Sequence, residues 1–198
     1  EGKSSGREAT RTGNTVDEFI EEANDRAEGK ITKEMDDDQK KEIAKKVALA
    51  AIKFSFLRTS PEKKIVFDWD RALSFEGDSG PYLQYAYVRT LGILRKWGGN
   101  VSELAASPAF NADEKEVLGI MLAFRETVEK AAADLRPHYI ADYAIDLATA
   151  FSRFYTKNQV LNADSEENKI NRLMIVSATM NTLRNTLNLM GIEAPEEM

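Results

Sequence analysis

Ser74-Phe75-Glu76-Gly77-Asp78-Ser79-Gly80-Pro81-Tyr82-Leu83-Gln84-Tyr85-Ala86-Tyr87-Val88-Arg89 passes from loop to helix within a few residues. Gly77, Gly80 and Pro81 break the backbone, and Pro81, with its fixed φ and no N–H, suits the first turn of the helix that follows. On that helix Tyr82, Tyr85 and Arg89 stand at i, i+3 and i+7 and share one face. Leu83, Tyr87, Leu91 and Leu94 keep the same period on another face. One flank can be buried while the other offers two aromatic planes and a guanidinium. That set suits unstacked bases with their phosphates.

Upstream, Lys64 to Trp69 reads as an extended, partly buried segment, too isolated to imply a sheet. Before it a helix runs from about Gln39 to Leu57, with Ile43, Val47, Ala50, Ala51 and Phe54 on its buried side. Asp36, Asp37 and Asp38 supply N-cap carboxylates for it rather than a metal site, and Ser60-Pro61 ends it. Phe19, Ile20 and Ala23 mark a short amphipathic helix to about Ala27, and residues 1–15 form an exposed polar loop.

Downstream, the central helix stops at Gly98-Gly99-Asn100. Residues 101–112 lead to a single helix carrying Val117, Ile120, Met121, Phe124 and Val128 on one face. After Arg136-Pro137 another helix lines up Tyr139, Tyr143, Leu147, Phe151 and Phe154 as core. The last helix, from about Ser165 to Met190, alternates Leu173, Val176, Met180, Leu183, Leu187 and Met190 by threes and fours, then meets Gly191 and Pro195. Nothing strand-like recurs. The fold class is all-α, a helical bundle without internal repeats.

Composition narrows the chemistry. With 198 residues there is room for a real core, and 42% apolar with 30% charged residues is ordinary for a globular protein. No cysteine means no disulfide and no thiolate metal site, and the single His138 excludes a multi-histidine site; carboxylate-only binding of magnesium or calcium stays open. His138 reads as a helix-start residue without a catalytic task. No apolar run approaches the roughly 20 residues that span a bilayer, so no membrane partner is expected and a cytoplasmic location is the default. The net charge of −6 argues against broad, sequence-blind DNA binding. Yet from Pro81 to Asn100 the only charged residues are Arg89, Arg95 and Lys96, a local cationic helix that favours selective contact. Glu1 in place of an initiating methionine, ahead of polar residues, reads as part of something longer.

Three segments resemble arginyl-tRNA synthetase, a class I aminoacyl-tRNA synthetase. They are Phe67-Asp68-Trp69-Asp70 with the loop and helix quoted above, the stretch Tyr143 to Leu161 with Arg172-Leu173, and the end Asn188-Leu189-Met190-Gly191-Ile192-Glu193-Ala194-Pro195-Glu196-Glu197-Met198. Lys3-Ser4-Ser5-Gly6-Arg7 is similar to the KMSKS loop, departing from it where Ser4 replaces an apolar residue and Arg7 the closing pattern. The resemblance implies residues 1–15 as a signature-loop remnant, 16–73 as connecting helices and 74–198 as a DALR-type anticodon-binding domain. It implies tRNA(Arg) as partner, read at the middle cytosine of the anticodon. Arginine, ATP and magnesium are implied only for the full enzyme, with no cofactor in this part. No HIGH-like motif and no strand–glycine-loop–helix unit is present, so these residues by themselves are expected not to aminoacylate.

The same resemblance assigns roles. Lys3 and Arg7 would stabilise charge on the leaving pyrophosphate. Tyr82, Tyr85 and Arg89 would approach the anticodon loop, unless the tyrosines simply pack on a neighbouring helix. Asp78 is either a contact to the nucleotide loop or the helix cap. Tyr155 and Gln159, read at i and i+4 near a helix end, would join the pocket, where Gln159 stands in place of a more usual aromatic and could read a base edge. Met198 would be an apolar wall. Phe67 and Trp69 read as core, and Arg58, Lys63 and Lys64 could touch the tRNA backbone or be merely solvated. Two other functions fit the same chain: a helical protein–protein module, and a stand-alone tRNA-binding protein.

Overall fold

The computed structural model describes residues 15–32, 34–105, 107 and 109–198, and the described residues hold no strand. Helix α1 spans Val16–Lys30 and opens on a capping box: the Glu18 backbone N–H donates to the Thr15 hydroxyl and the Glu18 carboxylate accepts from the Thr15 N–H. Helix α2, Asp37–Leu57, is capped by Asp36, which accepts from Gln39 N–H at 2.8 Å. Its residues serve two cores. Ala50 and Phe54 join the larger one, whereas Ile43, Ala44, Val47, Ala48 and Ala51 meet Ala23 and Ala27 of α1 in a smaller one. The alanines let α1 and α2 approach closely with little side-chain entropy lost.

The larger core is built by α4 (Gly80–Trp97), α5 (Ala112–Leu122), α6 (Phe124–Ala133), α7 (His138–Lys157) and α8 (Glu166–Leu189). Phe151 and Phe154 of α7 and Leu173, Leu183 and Leu187 of α8 lie at its centre, essentially without exposure. Helix α4 packs on α2 and α8 and touches α7, while α2 is the wall that the two cores share.

One expectation needs correction. Residues 112–133 are two helices, not one: the backbone turns at Ala123, and α5 lies against α7 and α8 while α6 follows α7. No glycine or proline marks that break, so packing rather than local chemistry sets it. Residues 64–68 form no helix or strand, and the segment up to Trp69 is partly buried, as its sequence suggests. Ile65 and Val66 are exposed, and only Phe67 and Trp69 turn inward, each ring within 4.9 Å of Phe19 of α1. Trp69 opens the single-turn α3, Trp69–Ala72.

Candidate nucleic-acid interface

The site begins at the start of α4. Ser79, buried, caps the helix by accepting from Tyr82 N–H at 3.1 Å, and its hydroxyl donates to the Ser74 carbonyl. Gly80 then lies against the backbone of α2: a Cβ on it would overlap the Ala50 carbonyl group. This close approach requires glycine and fixes where the tyrosine stripe starts.

Along that stripe the structure brings the expected residues together unequally. Tyr85 is 39% exposed, while Tyr82 is half-buried against the larger core. The Arg89 guanidinium lies 4.6 Å from the Tyr85 ring centre and 5.2 Å from that of Tyr155, also 39% exposed, on α7. It also donates to the Tyr85 hydroxyl at 2.5 Å. A planar cation thus lies over two phenol rings and pairs with no carboxylate among the described residues. Tyr155 is itself braced by stacking on the buried Phe151, with centroids 6.4 Å apart and planes 28° apart.

These groups line a groove of about 800 Å³, which Gln159, Lys96 and Met198 also border. On the other side of the Tyr85–Arg89 ridge lies a second hollow of about 540 Å³, lined among others by Phe75, Tyr82 and Ser152. Gln159 does not stand one turn after Tyr155 on the helix. Helix α7 ends at Lys157, and Gln159 lies in the turn beyond Asn158, brought back to the groove by tertiary contacts. Arg172 of α8 donates to the Gln159 carbonyl at 2.9 Å and pairs with the buried Glu114 of α5 at 2.9 Å, and the Asn158 amide donates to the Phe154 carbonyl.

The other wall is the tail after α8. Gly191 takes the left-handed conformation at φ 65°. The fully buried Gln84 donates to the Glu193 carbonyl at 2.9 Å, Lys53 donates to the Gly191 carbonyl, and Arg95 reaches the Glu196 carboxylate at 3.0 Å. Lys46 joins Glu42 and Glu193, whose carboxylates hold its ammonium above the usual lysine range. Met198 lines the groove with one side and packs on the smaller core with the other.

Asp78 stands apart from this groove. It does not cap α4, since Ser79 does; its oxygens accept from Arg58 at 2.7 Å and Arg71 at 2.8 Å. Arg58 also pairs with Asp142, so it is not a free backbone-binding cation. Lys3 and Arg7 lie outside the described residues. Lys96, read in the sequence only as part of the cationic helix, also lines the groove; it follows Arg89 by seven, the same period that groups Tyr82 with Arg89. Among the described residues no group of three or more His, Asp or Glu could hold a metal ion, and no helix is long and apolar enough to cross a membrane.

Residues 83–198 match the model of the DALR anticodon binding domain. The chain belongs to that family. It is 43% identical to the arginine–tRNA ligase of Pyrococcus furiosus over all of its own length and 33% of that protein. Among solved structures it resembles the arginyl-tRNA synthetase of Thermus thermophilus, with a TM-score of 0.85 and 37% identity over the whole chain and 34% of that protein. It shares its fold with the Plasmodium falciparum arginyl-tRNA synthetase, at a TM-score of 0.78 and 24% identity over 92% of the chain and 33% of that protein. The DALR domain chain therefore spans about a third of the length of the curated relatives it matches. The DALR match begins within α4, so the tyrosine stripe, the α7 wall and the tail with Met198 all fall in it, Tyr82 excepted.

Proposed function

We propose that the groove binds the anticodon loop of tRNA(Arg), as the RNA-reading part of an arginine–tRNA ligase. The observation that carries this reading is the meeting of Tyr85 and Tyr155 at the Arg89 guanidinium, which lies 4.6 and 5.2 Å from their ring centres. Two aromatic faces that together hold a planar cation can take a splayed base in its place, and each stacked base adds roughly 1–3 kcal/mol. Arg89, displaced by the base, can fork onto a phosphate or a base edge. Gln159 offers an amide for the base edge and Met198 an apolar wall, while phosphate contacts fix register. Tyr82 widens the aromatic surface on the far side of the ridge. Asp78 acts at a distance by holding Arg58 and Arg71.

Ligation itself, in which arginine is activated with ATP and joined to tRNA, belongs in this reading to the whole ligase in the cytoplasm. Lys3 and Arg7 would serve there beside the leaving pyrophosphate. In this reading the part of the described residues is recognition. Binding to an arginine-anticodon stem-loop, followed by fluorescence anisotropy, is expected to weaken by at least roughly tenfold when the middle cytosine is replaced, the cost of about 1.4 kcal/mol for a mismatched base. Equal affinity for stem-loops with any middle base would overturn the proposal.

A further inference from the structure

We infer that Gly92 and Lys96 seat the RNA backbone in the groove, one and two turns beyond Arg89; the inference rests on the anticodon reading above. Gly92 lies well inside α4, where glycine is the least favourable residue after proline. A glycine in such a place is ordinarily explained by a positive φ or by a neighbour that leaves no room for a side chain. Neither holds here: Gly92 is not among the positive-φ glycines, and a Cβ on it would meet nothing within 4 Å. Gly80 of the same helix, pressed on Ala50, shows the contrast.

What Gly92 does is leave the floor of the groove bare between Arg89 and Lys96. Tyr85, Arg89, Gly92 and Lys96 follow one another at three- and four-residue steps, so they form a continuous track on one helix face. Lys96 is exposed and makes no ion pair among the described residues, whereas the adjacent Arg95 is engaged by Glu196. Bare helix backbone beside an unengaged ammonium is the chemistry for a ribose–phosphate segment. The missing side chain permits close approach, and the compact charge takes a phosphate without needing a fixed geometry. Gly119 of α5 has the same open surroundings but borders no groove described above, which makes it the matched control.

The test measures binding of the full protein to the arginine-anticodon stem-loop across a salt series, with thermal melts alongside. Gly92→Leu is expected to lose roughly tenfold or more in affinity, about the loss of one good contact, with melting unchanged. Lys96→Gln is expected to weaken all stem-loops alike and to flatten the dependence of log affinity on log salt by about 0.7, the share of one single-strand phosphate. Gly119→Leu binds as the unaltered protein does. Should Gly92→Leu melt early, Gly92→Ser and Lys96→Gln decide. If the unaltered protein prefers the cytosine-centred loop while Gly92 and Lys96 variants keep its affinity and salt slope, this inference is wrong and the anticodon reading stands. If the unaltered protein shows no preference, both fall.

Discussion

Arg89 combines three properties that no other single residue in the groove has: charge, planarity and contact with aromatic rings from two different helices. A lysine would keep the charge but neither stack nor donate in a fork. Arg89→Lys is therefore expected to weaken stem-loop binding by about tenfold, equivalent to roughly 1.4 kcal/mol, with the melting temperature unchanged. Undiminished affinity would mean that charge is all the site uses. The alignment of Tyr82, Tyr85 and Arg89 was readable from helical period because it needs only one helix. That Tyr82 sinks half-way into the core while Tyr85 stays out was not readable, since a tyrosine is at home in either setting.

At the scale of elements, the decisive contact is between the first turn of α4 and the middle of α2. Gly80→Ala would push a methyl group into the Ala50 carbonyl, and neither backbone can yield without moving its helix. The expected cost is roughly 1–3 kcal/mol, as for other overpacked sites, seen as a lower urea midpoint with an unchanged slope. A variant as stable as the parent would show that the two helices slide apart freely. Local chemistry made a cap at this point certain but left its identity open, because aspartate and serine are both good N-caps. Asp78 goes instead to Arg58 and Arg71, one of them twenty residues away in sequence, and Ser79 takes the cap. The break at Ala123 has the same character: it is set by what α5 and α6 pack on, with no local signal.

Across the whole molecule, one buried ion pair ties three parts of the bundle to the groove. Glu114 on α5, the Arg172 guanidinium on α8 and the Gln159 carbonyl after α7 meet in one network, with the Glu114 side chain 1% and that of Arg172 10% exposed. Glu114 also closes the capping box with Asn111. Removing the cation leaves a buried carboxylate unpaired, which costs about 3–5 kcal/mol. Arg172→Ala is accordingly expected to lose that much in chemical unfolding and to loosen the Gln159 wall. A loss below roughly 1 kcal/mol, the value of an exposed pair, would show that water replaces the arginine.

Much was fixed by the order of residues alone. Helical periodicity, the caps at Asp36 and Ser165, the stop at Gly191 and the aromatic-cationic face of α4 are local properties, decided within a few turns of chain. The groove is not local. Tyr155, Gln159 and Met198 reach Arg89 from distant parts of the chain only after α7, its following turn and the tail have packed, and the contacts that hold them run through Arg172, Gln84 and Lys46. Sequence spacing carries information between neighbours on one helix. It carries none between side chains that burial of apolar surface brings together, and so the pocket belongs to the tertiary structure.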